Sequence, residues 1–329
     1  MRPVQKSSSL TKSSVFRYNA DILAICLMLS VMGVHLNGIY ALWQILICTA
    51  AAFLSELILF RLILKKNTTA DLGAITTGMM IALLLPSSAP FYVGISGAVF
   101  AIAVAKLPFG DIKNTPFLPS AAGYCFAATM FPDAVFSYPD KAAAFSFFGS
   151  DAFTRGETVF DMLSKGNSLS LNVFGRAQLL SGAYPGAIGT TAVLALAGAF
   201  VFLIIRHPKR FFSAAGCLLS VAVFAFVFPR VNSGRLSSVV AEICAGALIF
   251  TAVLMVTDPV TSPNKPSRAF LYGALTGSIG MLLRYFSKTP DPSCFAVVIT
   301  NALWPVISGE TVISKSLTRK AYKKAESRL

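Results

Sequence analysis

The segment Thr257-Asp-Pro-Val-Thr-Ser-Pro263 is polar and contains two prolines, yet it lies between two long apolar runs, residues 238–256 and 269–286. Proline removes a backbone donor and aspartate resists burial. A membrane protein therefore accommodates such a segment only where it is buried in protein, lines a cavity or reaches the interface. The segment is either a functional break between membrane helices or an ordinary connecting loop.

The composition of the chain indicates a membrane protein. Hydrophobic residues make up 55% of the 329 residues, charged residues only 13%, and the mean hydropathy is +0.69. A soluble fold of this size would not normally bury so much apolar surface. The net charge of +14 comes from short Lys and Arg clusters between apolar runs, and no nucleic-acid-binding motif accompanies them. We therefore predict an all-α membrane protein that contacts lipid and binds no nucleic acid.

Apolar segments recur along the whole chain, and several are shorter than the roughly 20 residues that a straight transmembrane helix needs. The third and fourth segments are notably short, which predicts tilted, broken or half-spanning helices. We count about ten segments, at residues 21–36, 40–64, 74–85, 91–105, 119–136, 188–205, 211–229, 236–256, 269–286 and 294–313.

The distribution of basic residues predicts the orientation of these helices. With ten crossings, 20 of the 28 Lys and Arg residues fall on the side that holds both termini. By the positive-inside rule, both termini are cytoplasmic and the connection 137–187 is extracytoplasmic. The first apolar segment has no convincing signal-peptide cleavage site, so we interpret it as an uncleaved helix.

The two halves of the chain resemble each other. The apolar residues 78–85 and the proline-containing break 86–90 are echoed by residues 246–256 and the break 258–263, five segments later. An odd offset means that the two copies face opposite ways across the membrane, as in many transporters. The predicted parts are an N-terminal tail (1–20), a first five-helix repeat (21–136), the outer connection (137–187), a second five-helix repeat (188–313) and a basic C-terminal tail (314–329).

Several blocks of sequence, in a fixed order, carry a resemblance to a known family. Three blocks precede the segment 257–263: Leu85-Pro86 with Pro90, residues 106–121, and Tyr184-Pro-Gly-Ala-Ile-Gly-Thr190. Four blocks follow it: Tyr272-Gly273, Arg284, Phe295-Ala296-Val297 and Asn301-Ala-Leu-Trp-Pro305. Together these blocks resemble the RnfD/NqrB family, the membrane subunits of the Rnf and Na⁺-NQR electron-transport complexes. The likeness covers nearly the whole chain.

The resemblance implies a ten-helix fold in the bacterial inner membrane and electron transfer through flavin, coupled to Na⁺ or H⁺ movement. It implies FMN joined by a phosphoester bond to a threonine on the outer side, placed there by a flavin transferase, and a non-covalent riboflavin or a quinone near the cytoplasmic side. It also implies Rnf-type partner subunits A, B, C, E and G, without which the chain would have no activity of its own.

Thr158 is the candidate acceptor of covalent FMN, because a hydroxyl is the nucleophile that this linkage needs. Ser181-Gly182-Ala183 is not a candidate, since Tyr184 follows it and belongs to another block. Thr158 lies at about the family's spacing, but its surroundings depart from the family motif at Arg155, Glu157 and Val159. Thr190 also stands where the family commonly has glutamate. The alternative for Thr158 is a solvated loop threonine.

Other candidate residues are ionisable or hydroxylated groups within apolar surroundings. Glu56 and Glu242 lie in or at the ends of apolar runs and are candidates for an ion path, or for partly wet interface positions. Asp258, with Thr257 and Thr261, is a candidate for a flavin pocket or for a structural helix break.

The remaining residue patterns give no sign of a metal site or of a nucleotide-binding site. The six cysteines show no Cys-x-x-Cys pairing, and the only histidines, His35 and His207, lack a partner at helical spacing, so we predict no metal site. No nucleotide-binding fingerprint is present, which assigns NADH or ferredoxin chemistry to partner subunits. Three alternatives remain open: a flavin-free channel or transporter on the same fold, a non-pumping flavin electron-transfer subunit, and a scaffold subunit.

Overall fold

The computed structural model describes residues 12–64, 72–109, 115–139, 155–164, 182, 184–230, 234–287 and 289–308. Every regular element among these residues is a helix, and the only β-pairing among them is one isolated bridge between Pro139 and Arg155. Most of the predicted N-terminal tail, the C-terminal tail and most of the outer connection 137–187 lie outside the described residues.

The described residues form thirteen α-helices. In chain order they are α1 (Lys12–Asn37), α2 (Ile39–Leu64), α3 (Leu72–Leu84), α4 (Phe91–Phe100), α5 (Pro119–Met130), α6 (Pro132–Val135), α7 (Val159–Ser164), α8 (Val193–Arg206), α9 (Phe211–Val227), α10 (Arg235–Cys244), α11 (Leu248–Phe250), α12 (Pro266–Phe286) and α13 (Ser293–Ser308). A π-helical segment (Ala101–Lys106) continues α4, and another (Thr251–Met255) continues α11.

Helix length and hydropathy bear out an all-α membrane fold. Four helical stretches among the described residues are long and apolar enough to cross a bilayer: Val15–Asn37, Ile39–Leu59, Phe91–Phe109 and Pro208–Val227. A fifth crossing results if α10 and the helix Leu248–Met255, which are bent by 70° at their junction, form one broken span. The predicted short and broken helices are thus present, while the count of ten helices in two inverted repeats stays a prediction.

Large apolar side chains cover the outer faces of these helices. On α2 the exposed side chains Trp43, Leu46, Leu54 and Ile58 recur at helical spacing. A contiguous exposed apolar face of this kind is unfavourable in water and suits contact with lipid. The structure therefore supports an integral membrane protein.

The two proline-containing breaks lie at opposite ends of α1. Near its start, the Tyr18 hydroxyl is 2.9 Å from the Thr257 Oγ1. Near its end, Gly33 packs against Ile188, whose backbone N–H donates to the Leu85 carbonyl oxygen at 3.1 Å. Tyr18 and Gly33 are separated by about 22 Å along the helix. The two breaks therefore lie at opposite ends of a helix that is long and apolar enough to cross a bilayer.

Helices α9 and α12 pack closely because glycines line their interface. Gly273 and Gly277 on α12 lie one turn apart and face the backbone of α9 around Ser213 and Cys217, while Gly216 on α9 faces α12. Small residues four apart are the usual means by which membrane helices bring their backbones together.

Candidate functional site

A polar cleft lies at the Tyr18 end of α1, beside the 257–263 segment. Its polar lining comes from α1, α3, the π-helical segment after α4, the start of α5 and the segment itself: Tyr18, Asn19, Thr76, Thr77, Lys106, Thr115, Ser120 and Asp258. The space open to the centres of water molecules is about 40 Å³, and the whole void, including its open mouth, is about 540 Å³. The cleft as it stands admits a few waters or the polar edge of a larger ligand.

The amino-terminal end of α5 opens into this cleft without a cap. Its N-cap residue Leu118 makes no side-chain cap hydrogen bond, and Pro119 occupies the first turn. The Ser120 side chain is 1% exposed, and its Oγ has no hydrogen-bond partner among the described residues. Free N–H groups and the helix dipole make such an end attractive to a negatively charged or polar acceptor group.

The 257–263 segment forms one wall of the cleft. The Asp258 carboxylate accepts hydrogen bonds from the backbone N–H groups of Val260 (3.0 Å) and Thr261 (2.9 Å) and from the Thr261 hydroxyl (3.2 Å). Burial raises the pKa of the Asp258 carboxyl, and the hydrogen bonds from Thr261 and the charge of Arg210 oppose this shift. Arg210 in turn donates to the Ser262 Oγ at 2.8 Å. The segment is therefore a hydrogen-bonded turn that also presents Asp258 to the cleft.

Glu56 forms a buried ion pair at the same cleft. The Lys106 Nζ donates to both carboxylate oxygens of Glu56, each at 2.9 Å, and the two side chains are only 5% and 4% exposed. Lys106 is the last residue of the first π-helical segment and lines the cleft. Arg61, the nearest basic residue to Glu56 in sequence, is exposed instead.

Glu242 lies in a second buried cluster, at the break between α10 and α11. Arg284 donates to the Glu242 Oε2 at 3.1 Å, and also to the backbone carbonyls of Glu242 and Ala245, each at 2.7 Å. The Arg230 Nε is 3.1 Å from the Glu242 Oε1. Arg284 thus satisfies the free carbonyls at the end of α10, where a positive charge is also favoured by the helix dipole.

Asp291 completes the cluster from the other side of the break. Its carboxylate accepts a hydrogen bond from the Ala247 N–H at the start of α11, and from the N–H (3.2 Å) and hydroxyl (2.7 Å) of Ser293 at the start of α13. Negative charge is favoured at both of these amino-terminal ends. The amino-terminal end of α13 is therefore filled by a carboxylate of the chain itself, whereas the amino-terminal end of α5 is not.

Thr158 is buried and caps the short helix α7. Its hydroxyl accepts from the Asp161 N–H at 3.1 Å, and its own backbone N–H donates to the Asp161 Oδ2 at 3.1 Å, the reciprocal arrangement of a capping box. The hydroxyl also donates to the Asp161 Oδ2, at 2.8 Å. Thr158 is 6% exposed and lines a small cavity together with Tyr138, Tyr184, Thr190 and Asp291. The alternative of a solvated loop threonine does not describe this environment.

The structure groups the predicted residues into two centres. The first centre is the cleft, which Asp258 lines directly and Glu56 approaches through its partner Lys106. The second lies near the break between α10 and α11. There Asp291 lines the cavity of Thr158 and also lies 3.9 Å from Arg284, the partner of Glu242. The sequence did not identify Ser120 or Asp291 as site residues, and it assigned Lys106 and Arg284 only to the family pattern. The carboxylates that Lys106 and Arg284 bind lie 50 and 42 residues away in sequence, and the one local signal was a basic residue at the end of an apolar run.

Comparison with known proteins gives one family match that covers almost the whole chain. The model of the NQR2, RnfD, RnfE family matches residues 4–315, almost the entire chain. The chain belongs to the NQR2, RnfD, RnfE family. The predicted resemblance to RnfD/NqrB is thereby confirmed.

Several members of the NQR2, RnfD, RnfE family are similar to this chain over most of their length. The D subunit of the Na⁺-translocating ferredoxin:NAD⁺ oxidoreductase complex of Acetobacterium woodii is 26% identical over 287 residues, covering 87% of this chain and 85% of the relative. The D subunit of the proton-translocating ferredoxin:NAD⁺ oxidoreductase complex of Clostridium ljungdahlii is 27% identical, covering 90% and 91%. The D subunit of the ion-translocating oxidoreductase complex of Salmonella paratyphi A is 27% identical, covering 88% and 92%.

Proposed function

We propose that this chain is the D-type membrane subunit of an Rnf-like complex, which relays electrons through flavin and couples their transfer to the movement of Na⁺ or H⁺. The observation that carries the proposal is the match to the NQR2, RnfD, RnfE family over residues 4–315, together with relatives named as D subunits of ion-translocating oxidoreductases. Rnf-type subunits A, B, C, E and G are the expected partners, in a bacterial inner membrane with both termini of this chain in the cytoplasm.

The first flavin in this proposal is an FMN attached to Thr158 by a flavin transferase. The chemistry of the site suits an acceptor hydroxyl: the carboxylate of Asp161, 2.8 Å away, is placed to take the hydroxyl proton as the oxygen attacks the pyrophosphate of FAD. The attack would break the P–O–P bond, leave FMN as a phosphoester on the hydroxyl and release AMP. The Asp161 N–H, which now donates to the Thr158 Oγ1, retains an acceptor when that oxygen becomes an ester. Aromatic rings of Tyr138 and Tyr184 line the adjoining cavity.

Replacing Thr158 with alanine is expected to abolish the added FMN mass of protein co-expressed with the flavin transferase. Intact-mass spectrometry measures this directly. Thr158→Ser keeps the hydroxyl and should retain FMN, and Thr190→Ala, in the same cavity, should retain it as well. If FMN persists in Thr158→Ala, or is absent from the native protein, Thr158 is not the acceptor.

The second flavin in this proposal binds non-covalently with its polar edge in the cytoplasmic cleft. Two observations support it: the uncapped amino-terminal end of α5 and the unpartnered, buried Ser120 Oγ. A flavin edge carries carbonyl oxygens that these donors would bind, and Asp258 on the opposite wall offers an acceptor for its N–H. When bound, the flavin supplies the redox chemistry, while the protein orients it and sets the surrounding charge.

Changing Asp258 to asparagine is expected to slow electron transfer by the assembled complex about tenfold, or ~1.4 kcal/mol in barrier height, without removing FMN from Thr158. Asparagine keeps one oxygen to accept from the turn, but it removes the charge that the cleft presents to a redox group. Ferredoxin- or NADH-driven turnover measures the effect. Asp133→Asn, at an exposed position of α6, serves as the control, and turnover unchanged by Asp258→Asn contradicts the prediction.

A visible flavin spectrum decides between this function and its rivals. The complex purified with this subunit is expected to contain flavin that is lost when the subunit is omitted. A subunit without flavin that passes ions or small solutes across liposomes would instead be a channel or transporter, and one that does neither would be a scaffold.

A further inference from the structure

Four helix ends meet in a row at the end of the molecule that is predicted to face the cytoplasm. Asp21 on α1 accepts a hydrogen bond at 2.9 Å from Arg206, the last residue of α8. The short turn 207–210 joins α8 to α9. Gly216 on α9 faces the backbone of Phe270 on α12. The order of the helices in this row is therefore α1, α8, α9 and α12.

The exposed charged side chains of this row are all basic. Asp21 is the only acidic residue in residues 12–22, 203–214 and 262–270, and its side chain is only 10% exposed. Arg206 stays 54% exposed although it pairs with Asp21. The surface is therefore positively charged, and we call it the basic edge. Its exposed basic residues are Arg17, Arg206, Lys209, Lys265 and Arg268.

Large apolar side chains are exposed on the same helices, close to the basic residues. Phe16 is 55% exposed beside Arg17, and Ile205 is 74% exposed beside Arg206. A membrane lipid has the same order of chemistry, with a phosphate at the interface and acyl chains next to it. Basic clusters at the cytoplasmic ends of membrane helices bind the headgroups of anionic lipids. The other exposed apolar residues at this end are Phe211, Phe212, Phe270 and Leu271.

The positive charges of the basic edge do not stabilise the helices that carry them. Lys265 is the N-cap residue of α12, Arg268 lies in its first turn, and Lys209 comes just before α9. The helix dipole favours negative charge at these ends, but neither helix has an acidic residue in its first turn. Arg210 donates to the Asn264 side chain at 2.6 Å, which brings the neighbourhoods of the two lysines together. A bound anion would offset the repulsion.

We propose that the basic edge binds the phosphate headgroup of an anionic phospholipid, whose acyl chains lie along the exposed phenylalanines of α9 and α12. Lys209 and Lys265 are its main contacts. Arg210 also binds Ser262 at 2.8 Å, so the lipid lies directly outside the wall of the cleft. The binding depends on the charge of this surface and not on the proposed electron transfer.

The experiment is a lipid titration of the purified, delipidated full-length chain, with bound lipids counted by native mass spectrometry. Dioctanoyl phosphatidylglycerol is compared with dioctanoyl phosphatidylcholine, which has the same acyl chains and no net charge. Inorganic phosphate tests the headgroup chemistry alone. The test variant carries Lys209→Gln and Lys265→Gln. The control carries Arg61→Gln and Arg235→Gln, which remove the same charge from exposed positions outside the basic edge.

The native chain and the control variant are expected to bind phosphatidylglycerol more tightly than phosphatidylcholine. Each basic residue near an anionic lipid contributes about a fivefold factor in affinity, so the test variant should bind phosphatidylglycerol roughly 25-fold more weakly. Its binding of phosphatidylcholine and its unfolding midpoint should not change, because both lysines are exposed.

Three results would overturn the proposal. Equal weakening in the control variant would show an effect of net charge rather than of the basic edge. Equal affinity of the native chain for the two lipids would leave this surface as a contact for a partner subunit. Displacement of phosphatidylglycerol by inorganic phosphate at the same concentration would show a site for a free anion and not for a lipid.

Discussion

Replacing Arg284 with methionine is expected to lower the free energy of unfolding by about 3–5 kcal/mol, the loss typical of removing one partner from a buried ion pair. The Arg284 side chain is fully buried. Its removal leaves the carbonyls of Glu242 and Ala245 without their donor and weakens the compensation of Glu242 and Asp291. Thermal unfolding of the detergent-solubilised protein measures the change.

Two matched variants separate the causes of this loss. Arg235→Met removes an exposed arginine nine residues before the α10 break and should leave the unfolding midpoint nearly unchanged. Arg284→Lys keeps the charge but not the planar fork that reaches two carbonyls and a carboxylate at once, so it should be intermediate. If Arg284→Met were as stable as Arg235→Met, the cluster would not hold the broken helix together.

A valine at Gly273 is expected to destabilise the protein by at least about 3 kcal/mol, at the upper end of overpacking effects. A Cβ at this position would lie 2.8 Å from the Ser213 carbonyl carbon and 3.0 Å from the Cys217 nitrogen, both backbone atoms of α9 that cannot move independently. The helices α9 and α12 would have to separate. The yield of folded protein and its unfolding midpoint measure the effect.

Gly198 provides the control, because a Cβ there has no atom of the described residues within 4 Å. Gly198→Val, in the apolar helix α8, should fold in normal yield even though the two substitutions are chemically identical. Equal losses in the two variants would show that the effect comes from glycine's own properties rather than from the α9–α12 contact.

The sequence was sufficient to single out the ionisable residues at both centres but not to find their partners. Glu56 and Glu242 stand out because a carboxylate in an apolar run is rare. Lys106 and Arg284, which bind them, are 50 and 42 residues away. Local spacing gave no sign of either contact, since two helices are brought together by packing that no pattern within one helix encodes.

For Thr158 as well, the sequence identified the residue but not the residues that surround it. Its position in the outer connection and its family spacing made it the candidate acceptor, while its altered neighbours suggested a loop. The structure shows a buried helix cap bonded to Asp161, three residues on, in a capping arrangement with aspartate where glutamate or glutamine is usual. Its cavity is formed with Thr190 and Asp291, from distant parts of the chain.

The sequence by itself determined that this is an all-α membrane protein of the RnfD/NqrB type, with a polar break at residues 257–263, because composition, charge bias and ordered motifs are properties of the linear chain. Only the tertiary structure decided that this break is a wall of a cleft containing Lys106 and Ser120, and that the break at residues 245–247 is closed by Arg284 and Asp291. The physical reason is that a buried charge or a free helix end must be satisfied by whatever group the fold brings within reach, and in this protein those groups come from other helices.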